Sequence, residues 1–258
     1  MALREKETRR PCATALMSVG IFTLVALALI MAAEALMENA AMDAKRDPLA
    51  AGDRRSAPVS AVASIARAET PGGVNWEYWA KANAHIVAWI DIPNTPIDLP
   101  VVQASAQDPQ FYLTHDALGR WNLCGCPYVD AACGQGIDGA HVVLYGHNMG
   151  DQSMFGALVG YRDPQWAQEH ARINLFTPEG ARTLKVFGAR TIAGSAAEKH
   201  LDIPSDDLAR YAETVAQTCD TRIADVTLSV KRLYTLCTCS YFFTPADERT
   251  LVYAYEEP

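Results

Sequence analysis

Residues Pro11 to Ala33 contain no charged side chain and consist mostly of Ala, Leu, Val, Ile, Met and Phe. No other feature restricts the chain so strongly. The run is 23 residues long, and about 20 apolar residues suffice to cross the hydrocarbon core of a bilayer. Arg4, Lys6, Arg9 and Arg10 precede it. Basic residues favour the cytoplasmic side, so the N-terminus is expected in the cytoplasm and the rest of the chain outside. A cleaved signal peptide is the competing reading, with Ala33-Glu34-Ala35 as a small-x-small site. Its apolar region would run about 7–15 residues, which this one exceeds. No polar stripe suggests a core helix. The expected organisation is a cytoplasmic N-terminus at 1–10, an anchor at 11–33, an extracytoplasmic stalk at 34–74 and one domain at 75–258. The stalk is Ala-rich, with Pro58, Pro71, Gly72 and Gly73, and holds too few large apolar residues for a core.

The net charge is −8, and four of the 22 basic residues lie in the first ten positions. The external part is therefore acidic, which disfavours nucleic-acid binding. Seven cysteines are present: Cys12, Cys124, Cys126, Cys133, Cys219, Cys237 and Cys239. Disulfides are permitted outside the cytoplasm, and Cys124 to Cys133 could be a stapled loop. Zinc competes for Cys124, Cys126 and Cys133, but the one-residue gap and missing fourth ligand argue against it. The acidic residues show no calcium-loop spacing. No metal or cofactor is expected.

Asn75 can cap a helix with apolar positions Trp76, Trp79, Ala80, Ile86 and Val87. Ser205 can cap a second over 205–218, with Asp206 and Asp207 in its first turn and a stripe of Leu208, Tyr211, Ala212 and Val215. Strands are expected at 99–103, 141–147, 172–177, 181–192, 233–239 and 250–255, with Pro178-Glu179-Gly180 as a turn. The fold class is mostly β, a barrel or sandwich with helical additions.

Chemistry concentrates at three strand ends. Cys239 closes the apolar, β-branched run Tyr234-Thr235-Leu236-Cys237-Thr238-Cys239, and Arg249 follows ten positions later. Val142-Val143-Leu144-Tyr145 breaks at Gly146 and delivers His147. A cysteine nucleophile needs a nearby imidazole or cation. A histidine can return the proton to a leaving amine, and an arginine can hold a developing oxyanion. Taken singly, a strand cysteine is usually a core residue and an arginine a solvated charge. The combination points to nucleophilic acyl transfer.

Thr235-Leu236-Cys237-Thr238-Cys239 resembles the TLxTC signature of sortases, membrane-anchored cysteine transpeptidases of Gram-positive bacteria. Tyr145-Gly146-His147-Asn148-Met149 and Met154-Phe155-Gly156-Ala157-Leu158 resemble the histidine segment of class B members. The 92 positions from His147 to Cys239 and the ten from Cys239 to Arg249 match that class. So do Trp89-Ile90-Asp91-Ile92, Pro100-Val101-Val102-Gln103 and Phe111-Tyr112-Leu113-Thr114-His115-Asp116. The resemblance implies an eight-stranded sortase β-barrel with an N-terminal helix and an extra helix before the last two strands. It implies Cys239 as nucleophile, His147 as acid/base, Arg249 as oxyanion group, and Thr238, Leu113 and Ser240 as substrate-binding residues. The implied partners are the sorting-signal peptide of a surface protein, cleaved at a Thr–Gly or Thr–Asn bond, an amine of a peptidoglycan precursor, and the membrane.

This chain departs from the family pattern in three ways: Cys237 at the variable position of the signature, Pro109 where many relatives have Asn, and the extra cysteines at 124–133. Cys237 and Cys239 project from the same strand face, which suggests oxidative sensitivity. Three other readings remain beside wall attachment: pilin polymerisation with a lysine as acceptor, a hydrolytic cysteine peptidase, and a non-catalytic membrane-tethered peptide-binding barrel. A papain-like peptidase would place its cysteine before the histidine, the reverse of the order here.

Overall fold

The hairpin at Pro178-Glu179 closes the molecule's sheet on itself. The computed structural model describes residues 71–194, 203–226, 230–240 and 248–257. The helices are α1 (Trp76–Ala82), α2 (Pro164–Glu169) and α3 (Leu208–Ala216). Strands β1 to β9 are Ile86–Asp91, Asp98–Gln103, Tyr128–Val129, His141–Tyr145, Arg172–Thr177, Gly180–Ala193, Thr221–Arg222, Leu233–Ser240 and Glu248–Glu256. Neighbours run in the order β5-β1-β2-β3-β4-β8-β9-β6, and β5 pairs back onto β6. That makes a closed barrel of eight strands. The two-residue β7 adds to β6 at Gly188 and Ala189. Most pairs are antiparallel, whereas β2–β3 and β4–β8 are parallel.

Each flanking helix covers its own part of the barrel. Asn75 accepts from the Tyr78 N–H at 3.1 Å and caps α1. Helix α1 buries Trp79 against Trp89, Val102 and Tyr128. The α3 stripe of Leu208, Ala212 and Val215 packs on Leu233, Cys237, Leu251 and Tyr253 of β8 and β9. Fully burying a side chain such as Leu208 contributes about 1.5–3 kcal/mol. This second cluster places a helix beside the strands that carry Cys239 and Arg249.

Several expectations need correction. The first helix does not reach Ile86 and Val87. It ends at Ala82, where the Asn83 N–H returns to the Trp79 carbonyl, and Ile86 opens β1. The run from Ile86 to Ile90 is almost wholly buried, so it lacks the alternation that marks a half-exposed strand. Residues 205–207 form a 3₁₀ turn, and the cap position of α3 is Asp207, with no side-chain cap bond. Val74, just before α1, is fully buried in the cluster around Trp79. None of the six described cysteines is in a disulfide. Cys124, Cys126 and Cys133 do not staple a loop; they are buried one by one, with Cys126 donating to the Pro100 carbonyl. The N-terminus at 1–10, the apolar run at 11–33 with Cys12, and the stalk as far as residue 70 lie outside the described residues. Among the described residues, no helix is long and apolar enough to cross a membrane.

Candidate active site

Strands β4, β8 and β9 lie side by side, and their ends bring the three expected groups together. Tyr145 pairs with Cys237 across the parallel β4–β8 ladder, and the Gly146 N–H donates to the Cys237 carbonyl at 3.2 Å. His147 therefore leaves the sheet beside the end of β8. Only glycine fits at 146, since a Cβ there would lie 2.6 Å from the Phe155 ring. Cys239 and Arg249 are direct cross-strand partners. Side chains of such a pair project from the same face of an antiparallel ladder. The Arg249 Nη1 donates to the Glu248 carbonyl at 2.8 Å, which fixes one end of its guanidinium.

Cys239, His147 and Arg249 all line one cavity of about 520 Å³. Cys239 is half-buried, whereas Cys237, two residues back, is buried and lines the same cavity. Leu113 and Thr238 are also in the wall, as is Pro109. The Leu113 carbonyl lies 2.7 Å from His147 Nε2. The buried Thr238 hydroxyl donates to the Gly146 carbonyl at 2.8 Å. Ser240 closes β8 opposite Glu248. A second cavity, about 420 Å³ and lined by Arg162, Thr191, Asp220 and Glu248 among others, has no thiol or imidazole among the described residues that line it.

Asp130 and Tyr145 also line the cavity and were not singled out from sequence. Asp130 is buried and its Oδ1 accepts from the Ala132 N–H at 2.9 Å. Burial, then the neighbouring Cys237 thiol and the Asp130 carboxyl, push the Tyr145 phenol above its usual range. The phenol therefore keeps its proton and presents it to the Asp130 carboxyl. Asp130 follows a two-residue strand, and no spacing in the sequence links it to Cys239. Other cysteines are set apart by their surroundings. Burial, then Asp116, pushes the Cys126 thiol up. Burial also pushes Cys219 up to about 11, against the opposing pull of Arg190. Both thiols are poor nucleophiles at neutral pH. Among the described residues, no group of three or more His, Cys, Asp or Glu side chains could hold a metal ion.

A thiol, an imidazole and a guanidinium in one cavity of a closed β-barrel are the components of thiol-dependent acyl transfer. The family model of the sortase domain matches residues 90–257. Sortase B of Staphylococcus aureus is 27% identical over 182 residues, covering 69% of this chain and 73% of its own. A structure of a Staphylococcus aureus sortase B–substrate complex superposes with a TM-score of 0.64 at 23% identity, covering 76% of this chain and 90% of that one. A sortase B structure from B. anthracis gives a TM-score of 0.60 at 26% identity, covering 70% and 83%. The chain belongs to the sortase family and is class B-like. It is a cysteine transpeptidase by that membership.

Proposed function

We propose that this enzyme cleaves a sorting-signal peptide and transfers the acyl fragment to an amine, with Cys239 as nucleophile, His147 as acid/base and Arg249 as the oxyanion group. Cys239 passes its thiol proton to His147 as its Sγ attacks the carbonyl carbon of a Thr–Gly or Thr–Asn bond. The guanidinium of Arg249, which stays protonated throughout, stabilises the negative oxygen of the tetrahedral intermediate. As the C–N bond breaks, His147 gives a proton to the leaving amine, and a thioester remains on Cys239. An incoming amine attacks the thioester and loses a proton to His147, and Cys239 leaves as a thiolate that takes that proton back. The observation that carries this reading is the direct cross-strand pairing of Cys239 with Arg249 in a cavity that His147 also lines.

The acceptor in this proposal is an amine of a cell-wall precursor, and residues 11–33 hold the enzyme in the membrane with its N-terminus in the cytoplasm. Support for the anchor is the length and charge-free character of that run. The likeness to a sortase B captured as a substrate complex supports a peptide donor. Fluorogenic NPxTN-like and LPxTG-like peptides, with and without an added amine, test the reaction. Amine-dependent product that disappears in Cys239→Ala and Arg249→Ala is the expected result. Product that forms at the same rate without amine would instead establish a hydrolase.

A further inference from the structure

His147 has its ring nitrogens in different positions, and the difference assigns the proton. The Leu113 carbonyl lies 2.7 Å from Nε2. A carbonyl oxygen only accepts, so Nε2 must carry hydrogen. It does so in the neutral ring and in the imidazolium alike, so the bond survives protonation and deprotonation. Nδ1 is then the nitrogen that gains and loses the proton.

The carbonyl is itself held in place. Leu113 ends a 3₁₀ turn over Phe111–Leu113, and its N–H donates to the Gln110 carbonyl at 2.9 Å. The Tyr112 carbonyl accepts from the Cys126 N–H at 2.9 Å, and the Tyr112 phenol accepts from Asn83 Nδ2 at 3.0 Å. The Thr114 carbonyl accepts from the Asn122 N–H at 2.9 Å. Gly125 lies directly against this turn at φ 62°. A Cβ on residue 125 would sit 2.4 Å from the Tyr112 oxygen and 2.8 Å from the Leu113 oxygen. Both are backbone atoms and cannot swing aside as a flexible side chain would.

We infer that Gly125 is a positioning residue: by leaving room for the Leu113 carbonyl it holds His147 in the Nε2–H form, with Nδ1 as the nitrogen that exchanges the catalytic proton. The catalytic half of this inference rests on His147 being the acid/base; the tautomer does not. Gly125→Ala displaces the carbonyl, lets the ring turn and mixes the two tautomers. A displacement of about 1 Å in a catalytic group costs up to about a hundredfold in rate.

The test uses the full chain labelled with ¹⁵N-histidine. Long-range ¹H–¹⁵N spectra are recorded at a pH where the His147 ring is neutral by its own titration, with assignment by loss of the signal in His147→Ala. A single Nε2–H tautomer is the expected result, and an Nδ1–H tautomer would overturn the inference without touching the proposed reaction. Gly125→Ala should lose kcat about a hundredfold while KM stays within about twofold, with both tautomers visible. Gly119→Ala is the control, since residue 119 has φ 75° but nothing within 4 Å of an added Cβ. It should keep wild-type kcat and tautomer. Tyr112→Phe releases the turn from Asn83 without adding volume, and should show the same drift with a kcat loss of about threefold. Wild-type kcat and tautomer in both Gly125→Ala and Tyr112→Phe would refute the positioning role. Activity surviving in His147→Ala would instead refute the acid/base reading.

Discussion

Thr238→Val separates two roles for the residue next to Cys239. Valine has nearly the same shape as threonine but cannot donate a hydrogen bond. The Thr238 hydroxyl is buried and donates to the Gly146 carbonyl at 2.8 Å. That bond joins the strand of Cys239 to the peptide immediately before His147. Removing the donor leaves a carbonyl in a buried place short of a partner, at a cost of about 2 kcal/mol. For a domain of this size, that lowers the melting temperature by about 6 °C. Because the lost bond ties the strand of Cys239 to the segment of His147, kcat should fall with stability while KM changes little. Thr238→Ser keeps the donor and should recover most of both. Thermal unfolding of the full chain, with initial rates on a sorting-signal peptide, reads both quantities. If Thr238→Val melts like wild type and only KM rises, the hydroxyl serves the substrate and the reasoning fails.

Alkaline pH should destabilise the fold. Burial pushes Cys219 up from an ordinary 9.0 to about 11 and also raises Tyr161 and Tyr253. A group with a raised folded-state pKa holds its proton longer in the native state, so its contribution is complete below pH 9 and is lost as pH rises through the folded value. The urea midpoint should be lower at about pH 10.5 than at about pH 8, with the drop reduced in Cys219→Ala; an unchanged midpoint would contradict this. Cys237 should make oxidation of the site reversible, because it lines the same cavity as Cys239. Alternate strand residues have Cα atoms about 6.7 Å apart, at the far edge of disulfide geometry, so any bond between them is readily reduced. With peroxide sufficient to carry an unprotected thiol past sulfenic to sulfinic acid, labelling of Cys239 should return with reductant in wild type and stay lost in Cys237→Ala; identical recovery in both would sink the idea.

What could be read from sequence follows from how each segment is buried. Strands β5, β6, β8 and β9 were legible because β-branched runs and the Pro178-Glu179-Gly180 turn mark them directly. Strand β1 was read as the tail of a helix, because a segment buried on both sides carries no period-two signal. Strand β3 has two residues, too few for any periodicity. Cys239, His147 and Arg249 could be selected because each sits at a strand end within a recognisable motif. Asp130 and Tyr145 meet through the pairing of β3 with β4, and Tyr145 meets Cys237 through that of β4 with β8; local sequence encodes neither. Leu113 was singled out as a substrate contact, yet its backbone oxygen is what touches His147. A backbone atom leaves no trace in residue identity. The absence of disulfides among Cys124, Cys126 and Cys133 likewise depends on where each thiol is buried, which spacing does not reveal.

The proposed reaction runs through a covalent acyl-enzyme on Cys239 that an amine resolves. Intact-mass spectrometry of the enzyme after brief mixing with a sorting-signal peptide tests it, followed by proteolytic mapping of the adduct. The prediction is a mass increase equal to the N-terminal fragment of the peptide, mapped to Cys239 and discharged on adding amine. An adduct mapped to Cys237, or turnover of the peptide by Cys239→Ala, would contradict the account.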